Sequence, residues 1–518
     1  MISSNKSIAK SAGIISVGTA LSRVLGFVRD IMFAAFFGTG VYAQAFVVAF
    51  RIPNLMRDLI GEGAANSAVV PVLVEELTRE GKEHFFRLAN ILLNLMLVVL
   101  TVLTVAGVLL SRPIVILMAP GFLTDPSKMD VTIALTRALF PYLFFMGLAA
   151  YGMGVLNSVK HFTVPAFGPG MLNVSLILCM LVWRQDVLGL AVGVLLGGLG
   201  QVLIQIPPLL RNGAVFNQRR FMHPKINKII KLLLPRVFGT GIYQINVFVS
   251  TILASIERIT GEGAVAALYF SNNILQLPLS IFAIALAQAA LPTLSGHVAA
   301  KEMDKFRSSI NFLLRGVGFV LLPAAAGLIA LSLPITKALF ERGAFGGYSA
   351  LITSSALSFY AFGLFSYGAI KILVNGFYSM QDTVTPVKVA AASLVINIIL
   401  NIIFMYPLKV GGLALATSVS GIFSSVTLFI ILRRRIGALH DRRLFNSLIK
   451  ILAASALMGL FAFWVNRYLQ ALLSHMAFGL VLNLGISIIS SLVFYILACH
   501  ILRIDELKEL KRWALKRK

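Results

Sequence analysis

The chain has 518 residues, of which 58% are hydrophobic and 13% charged, and its formal net charge is +25. This composition excludes an ordinary soluble domain and indicates a polytopic membrane protein. The basic residues are spread over alternate loops, which is typical of membrane topology and argues against nucleic-acid binding. Cys179 and Cys499 lie in apolar runs, so we expect neither a disulfide framework nor a metal site.

Fourteen runs are long and apolar enough to cross a hydrocarbon layer of about 30 Å. In chain order they are 9–37, 42–75, 85–111, 131–158, 165–184, 188–210, 227–256, 263–295, 308–334, 349–376, 384–406, 410–433, 445–466 and 476–502. The second and eighth are long and contain the helix breakers Pro53 and Pro278. Lysine and arginine concentrate in alternate short loops, so both termini are predicted to lie in the cytoplasm.

The sequence contains no pattern typical of an enzyme. The seven histidines are scattered singly, and no nucleophile elbow, phosphate-binding loop or dinucleotide fingerprint occurs. We therefore expect no catalytic residue, no metal and no cofactor, and we expect transport driven by an ion gradient, the membrane potential or substrate supply. The competing class is an intramembrane lipid-modifying enzyme, which would need clustered acids or histidines at an interface.

Charged residues inside the predicted spans are the strongest functional signal. A charge at bilayer depth costs about 2.5–3.5 kcal/mol on insertion scales, so it normally faces a polar cavity. Three acids occur there, Asp30, Asp58 and Glu62. The more numerous cations are Arg23, Arg29, Arg51, Arg57, Arg137, Arg236, Arg315 and Lys371. Because arginine forks onto phosphate, this excess predicts a cavity for a large anion.

Spacing predicts which of these cations are already neutralised. A separation of seven residues places Arg23 and Asp30 on one helix face, and the same spacing relates Arg51 to Asp58. Arg29 and Arg57 have no such partner. We interpret Arg23, Arg29 and Arg57 as cavity residues, and interfacial or capping roles are expected for Arg137, Arg315 and Lys371.

Two further patterns bear on helix packing. Gly189, Gly193 and Gly197 form a face of small residues that predicts close contact with another helix. Asn397 and Asn401 lie one turn apart, which favours hydrogen bonds between helices and leaves ion coordination as the alternative. A short echo between 66–73 and 287–294 is consistent with two related bundles of six spans and two further spans at the C-terminal end.

Several longer motifs carry a family resemblance. They are SRVLGFVRD (22–30), FGTGVYAQAFVVAFRIPNLMRDLIGEGAANSAVVPVL (37–73), ALFPYLFFMGL (138–148), LYFSNNILQLPLSIFAIALAQAALPTLS (268–295), ERGAF (341–345) and FYSMQDTVTPVK (377–388). In order and placement they resemble the MurJ (MviN) lipid II flippases of the multidrug/oligosaccharidyl-lipid/polysaccharide exporter superfamily. The resemblance runs through nearly the whole chain.

The resemblance implies a fold and a function. The fold would be all-α, with six-span lobes at 1–210 and 211–440, and with two extra spans and a basic cytoplasmic tail at 441–518. The function would be alternating-access movement of undecaprenyl-pyrophosphoryl-MurNAc-pentapeptide-GlcNAc to the periplasmic leaflet of the bacterial inner membrane, for peptidoglycan synthesis. Lipid II would be the ligand, membrane lipids the surroundings, and cell-wall synthesis or division proteins the candidate protein partners.

The resemblance also implies a substrate site. Family cavity arginines correspond to Arg23, Arg29 and Arg57, a family acid corresponds to Glu62, and the two last spans would border a groove for the polyprenyl tail. We add Arg51, Asn272 and Asn273 to the expected site. Two positions depart from many members, Gln44 for an acid and Asn272-Asn273 for an eighth-span arginine. The alternative functions are a flippase for another polyprenyl-linked glycan and a drug exporter of the same superfamily.

Overall fold

The computed structural model describes residues 2–56, 69–184, 186–214, 223–473, 476 and 478–508, and of 2–17, 19, 56, 224, 232–240, 242 and 243 it describes the backbone alone. In this part of the chain the regular structure is helical and no strand occurs, so the predicted all-α class is confirmed. Two compact units are present, one comprising 1–256 with 342–345 and the other 257–341 with 346–518. The lobe boundaries at 210 and 440 assign six predicted spans to each lobe, and they stay a prediction.

The described helices of the first unit are α1 (Ile2–Phe37), α2 (Val41–Met56), α3 (Val70–Arg79), α4 (Lys82–Leu109), α5 (Ser111–Met118), α6 (Pro126–Leu139), α7 (Pro141–Ser158), α8 (Thr163–Val182), α9 (Val187–Leu203), α10 (Ile206–Arg211) and α11 (Pro224–Ala254). Those of the second unit are α12 (Glu257–Thr260), α13 (Ala264–Pro278), α14 (Ala285–Ala299), α15 (Met303–Ala330), α16 (Ser332–Phe340), α17 (Gly347–Ala361), α18 (Leu364–Ser379), α19 (Val384–Leu408), α20 (Val410–Ile436), α21 (Asp441–Leu473) and α22 (Gly479–Ile501).

Ten helical segments of the described residues are long and apolar enough to cross a membrane, or eleven if α17 and α18 form one span bent by 44°. The predicted spans 9–37, 42–75 and 227–256 do not enter this count, and each contains side chains outside the described part. The structure is therefore that of a polytopic membrane protein, and the number fourteen stays a prediction.

Two interruptions within predicted spans have local causes. A π-helical turn at Leu279–Ile284 follows Pro278, which removes a backbone donor from the eighth span as the sequence predicted. The bend between α17 and α18 was not predicted. At this bend a Cβ on Gly363 would lie 2.7 Å from the Tyr367 hydroxyl and 2.9 Å from Cα of Ser418, so glycine allows α20 to pack closely there.

Glycines set the contact between α8 and α9, as their spacing predicted. A Cβ on Gly193 would lie 3.1 Å from Cα of Leu176, and one on Gly197 would lie 2.7 Å from Cα of Leu172. Any larger side chain would push the two helices apart.

The turn between α18 and α19 is fastened to the end of α20. Asp382 accepts hydrogen bonds from the backbone N–H of Thr385 at 2.9 Å and from its hydroxyl at 2.6 Å, which caps α19. Arg435 pairs with the Asp382 carboxylate and donates to Thr385 Oγ1 at 2.9 Å. The ends of α18 and α20 and the start of α19 therefore lie on one face of the second unit.

A short loop, 342–345, belongs to the first unit although its flanking residues belong to the second. The backbone N–H of Ala344 donates to the carbonyl of Ala35 at 2.8 Å, near the C-terminal end of α1. Gly38 and Gly343 make this approach possible, because both have positive φ and a Cβ on Gly343 would lie 2.2 Å from the Ala35 carbonyl oxygen. The loop thus satisfies a carbonyl that the helix leaves without an internal donor.

Candidate functional site

Arg29 on α1 lies at the centre of a polar cluster inside the first unit. Its Nε and Nη2 donate to Oδ1 of Asp30 at 3.0 and 2.7 Å, and its Nη1 donates to Oδ1 of Asn173 on α8 at 3.0 Å. The Arg29 side chain is 19% exposed and that of Asp30 is 8% exposed. The more accessible group of the pair is therefore the cation.

Small residues on α1 allow α8 to supply Asn173. Gly18, Ser22 and Gly26 are spaced at four residues, and a Cβ on Gly26 would lie 3.5 Å from Nδ2 of Asn173. The same Nδ2 donates to the backbone carbonyl of Ser22 at 2.9 Å. Asn173 was missed in the sequence, where a single asparagine in an apolar run was the only available signal.

The predicted partnership between Arg23 and Asp30 is wrong, because Asp30 is bound by its neighbour Arg29. Spacing along a helix predicts which Cβ atoms share a face, but the long arginine side chain reaches round to the adjacent carboxylate. Arg23 is exposed and makes no ion pair with any residue that the structure describes. The expectation that Arg29 has no carboxylate partner is corrected in the same way.

Arg51 on α2 is bound by α11. Its Nη1 donates to the carbonyl of Val247 at 3.2 Å and also to the hydroxyl of Thr251. These contacts hold two helices of the first unit together. The expected partner Asp58 lies outside the described residues.

The other expected site residues fall into two groups. Arg57 and Glu62 lie outside the described residues. Asn272 and Asn273 are half-buried on α13 and belong to the second unit. The arrangement of the complete set stays a prediction.

Arg315 has a structural role that the sequence did not reveal. It is 2% exposed, and its Nε lies 2.6 Å from Oε1 of Glu506, which follows α22. Glu506 also accepts a hydrogen bond from Ser447 at 2.7 Å. The interfacial role expected for Arg315 is therefore wrong, because this guanidinium is buried in an ion pair.

A long apolar groove of about 1080 Å³ lies within the second unit. Its walls come from α15, α16, α21 and α22 and from the bend between α17 and α18, with Leu322, Phe365 and Leu460 among the lining residues. Polar side chains occur toward one end, where Lys337, Asn466 and Arg467 also line it. An extended hydrocarbon chain with a polar terminus matches this lining chemically.

Asn397 and Asn401 lie in a buried polar network between α19 and α20. Nδ2 of Asn401 donates to Oδ1 of Asn397 at 2.8 Å, and Nδ2 of Asn397 lies 3.3 Å from Oγ of Ser420. The interhelical hydrogen bonding predicted from their spacing is confirmed for Asn397, whereas this bond of Asn401 stays within α19.

The chain is similar to known proteins over most of its length. The family model described as "Lipid II flippase MurJ" matches residues 33–502. The probable lipid II flippase MurJ of Vibrio cholerae is 36% identical over 439 residues, covering 82% of this chain and 83% of the relative. The lipid II flippase MurJ of Burkholderia cenocepacia is 34% identical over 427 residues, covering 80% and 82%.

Solved structures show the same fold. A lipid II flippase MurJ in an inward closed conformation matches with a TM-score of 0.77 at 24% identity, covering 94% of this chain and 99% of that structure. An inward-facing multidrug resistance MATE transporter of the MOP superfamily matches with a TM-score of 0.70 at 16% identity, covering 81% and 96%. At these identities the likeness concerns the fold alone.

Proposed function

The chain belongs to the lipid II flippase MurJ family, and from this premise we propose that it moves lipid II from the cytoplasmic to the periplasmic leaflet of the bacterial inner membrane. It is a transporter and not an enzyme, and it serves peptidoglycan synthesis. The observation that carries the proposal is the Arg29 cluster, in which a membrane helix presents a partly accessible guanidinium.

The pyrophosphate is the part of the substrate that this cluster suits. A guanidinium binds phosphate oxygens through charge-assisted hydrogen bonds, and Asp30 and Asn173 orient it. Arg23, Arg57, Arg51 and Glu62 complete the proposed first-lobe site, and the neutral Asn272 and Asn273 contact sugar or peptide. Binding is moderate, because the headgroup must leave again on the other side.

The tail of the substrate occupies the apolar groove. The groove bordered by α21 and α22 has a volume of about 1080 Å³ and supports this assignment, since its lining is mostly aliphatic and aromatic. Because the tail moves there from lipid and not from water, the groove stabilises it by packing contacts and not by the hydrophobic effect. The headgroup would cross through the polar interior while the tail stays in an apolar environment.

The transport cycle is alternating access between two six-span lobes. The distribution of lysine and arginine over the loops, which predicts fourteen spans with both termini in the cytoplasm, supports this cycle. The substrate shifts the protein toward the conformation that binds it more tightly.

The test is to make this chain the sole flippase of a depleted host and to measure lipid II on the outer face of the membrane. We expect growth and outer-face lipid II with the parent chain, none with Arg29→Ala, and partial recovery with Arg29→Lys, because an ammonium cannot fork onto phosphate. Arg211→Ala, at the exposed C-terminal residue of α10, is the matched control and should insert and flip like the parent chain.

Two results would contradict the proposal. Normal outer-face lipid II with Arg29→Ala at equal expression would remove the proposed headgroup site. Failure of the parent chain, if inserted at normal levels, would point to another polyprenyl-linked glycan or to a drug as the substrate.

A further inference from the structure

Lys371 is an exposed cation in the middle of a membrane helix. It lies on α18, about 12 Å from the helix end at Ser379 by the rise of an α-helix. It makes no hydrogen bond or ion pair with the residues that the structure describes. An uncompensated charge at this depth requires an explanation.

The direction of α18 argues against an interfacial role for Lys371. The Cα–Cβ bond of a helical residue tilts toward the helix N-terminus. The N-terminus of α18 is the bend at Gly363, in the middle of the bent span, so the lysine stem leads away from the Ser379 end. Snorkelling to the nearer interface would need the opposite direction.

The surroundings of Lys371 are also unlike a lipid-facing surface. One turn before it, the hydroxyl of Tyr367 lies 3.3 Å from Oγ of Ser418. One turn after it, Nδ2 of Asn375 donates to the carbonyl of Ala287 at 2.7 Å. A lipid-facing helix such as α22 instead exposes aliphatic residues, including Ile486, Ile489 and Val493. Because hydrocarbon disfavours a charge strongly, a charged Lys371 needs a polar group beside it.

We propose that Lys371 binds a phosphate oxygen of the polyprenyl pyrophosphate, as the cation of the second unit. The inference rests on the proposed function and names a contact for the same substrate. It gives the second unit a positive charge for this substrate, since Asn272 and Asn273 on the eighth span are neutral. Arg315 cannot serve, because Glu506 binds it in a buried pair.

Lysine suits a binding site that must release its ligand. Its ammonium is a compact, strongly hydrated point charge that accepts many geometries, whereas arginine fixes a bidentate one. A mobile contact of this kind would bind the pyrophosphate without holding it rigidly.

The experiment measures binding of undecaprenyl pyrophosphate and of undecaprenol to the purified full chain by native mass spectrometry. Lys371→Met should weaken binding of the pyrophosphate about tenfold, the effect of losing one charge-assisted hydrogen bond. Lys371→Arg should stay within about twofold of the parent by the same scale. Binding of undecaprenol, which lacks the anion, should be unchanged in every variant.

Lys450→Met is the matched control. Lys450 is also an exposed lysine inside a membrane helix of the second unit, about 14 Å from the start of α21. Helix α21 begins at the same face of the second unit as the end of α20, because Asp441 pairs with Arg433 there. The Cα–Cβ bond of Lys450 tilts toward the start of α21, so the Lys450 side chain leans toward the interface at that face. We expect parental binding of both lipids.

The possible failures are distinguishable. Parental affinity of Lys371→Met, with loss of binding in Arg29→Ala, would overturn the role of Lys371 and leave the proposed function standing. A parent chain that does not prefer the pyrophosphate over undecaprenol would overturn both.

A second measurement tests the proposal if the Lys371→Met protein fails to fold. Lys371→Cys, in a chain with Cys179→Ala and Cys499→Ala, should react with a membrane-impermeant thiosulfonate, and undecaprenyl pyrophosphate should slow the reaction. Absence of reaction, or absence of protection, would overturn the proposal.

Discussion

Asn173 binds Arg29 and the backbone of Ser22 at the same time, accepting from Nη1 at 3.0 Å and donating to the carbonyl at 2.9 Å. One side chain on α8 therefore fixes both the position of α1 and the orientation of its guanidinium. The cluster should respond differently to the loss of this amide and to the addition of a charge in its place.

Asn173→Asp should abolish flipping nearly as fully as Arg29→Ala, because a second carboxylate beside Asp30 would neutralise the guanidinium and repel pyrophosphate. Asn173→Leu should only reduce flipping, since it removes about 1–3 kcal/mol of hydrogen bonding but adds no charge. Outer-face lipid II is the readout, and Asn227→Asp, exposed on α11, is the control. Equal activity of the Asp and Leu variants would argue against an electrostatic role.

Filling the groove should weaken binding of the tail and leave binding of the headgroup unchanged. Ala456 lines the groove, whereas Ala453 is exposed on the same helix and does not. We expect Ala456→Trp to weaken binding of undecaprenyl pyrophosphate several-fold and to leave a short-chain pyrophosphate analogue unaffected, because only the long tail needs the filled volume. Ala453→Trp should bind both lipids normally. Equal weakening of both lipids by Ala456→Trp would mean that this groove does not hold the tail.

The buried Arg315–Glu506 pair should matter for stability only when it is broken on one side. Glu506→Ala should destabilise the protein by about 3–5 kcal/mol, because the buried guanidinium would lose the Glu506 carboxylate. Replacing both residues with methionine should restore most of this loss. Thermal unfolding in detergent provides the measurement, and a double variant as unstable as Glu506→Ala would contradict the account.

Asp382 should make stability depend on pH in the acid range. Burial alone would raise the pKa of Asp382, but hydrogen bonds from Thr385 and the charge of Arg435 outweigh it and lower the pKa to about 2. A carboxylate with a depressed pKa contributes stability above its unfolded value near 3.8, and that stability is lost as the pH falls through about 2.

Asp382→Asn should therefore be less stable than the parent at pH 7, by about 1–2 kcal/mol after allowance for the exposed arginine partner. The difference should close as the pH falls from about 4 toward 2. Melting temperatures across this range would show it. A gap that stays constant down to pH 2.5 would exclude the carboxylate charge as its cause.

Cysteine accessibility should establish the orientation. Ser127→Cys and Arg211→Cys, both exposed, are expected in the periplasm and the cytoplasm respectively. Labelling of both from the same side would contradict the arrangement of fourteen spans.

Features of this protein that arise within one stretch of chain could be predicted from the sequence, whereas contacts between distant residues could not. The all-helical class followed from apolar runs, and the α8–α9 contact from glycines spaced at four residues, because both are periodic signals in one stretch of chain. The partner of Arg29 on α8 could not be found in this way, since it lies 144 positions away.

The bend at Gly363 and the burial of Arg315 depended on tertiary context in the same manner. A glycine inside an apolar run is compatible with a straight helix until the neighbouring α20 is known. An arginine in a span resembles an interfacial residue until Glu506 returns to meet it.

The attachment of loop 342–345 to α1 has a consequence for the time course of biosynthesis. The first unit is otherwise complete at residue 256, yet the Ala35 carbonyl stays without its donor until Ala344 has been made. At about 5–20 residues per second, the intervening stretch takes roughly 4–18 s to synthesise. During that interval the Ala35 carbonyl lacks the donor that Ala344 supplies, so the first unit is completed only by a short piece of the second half of the chain.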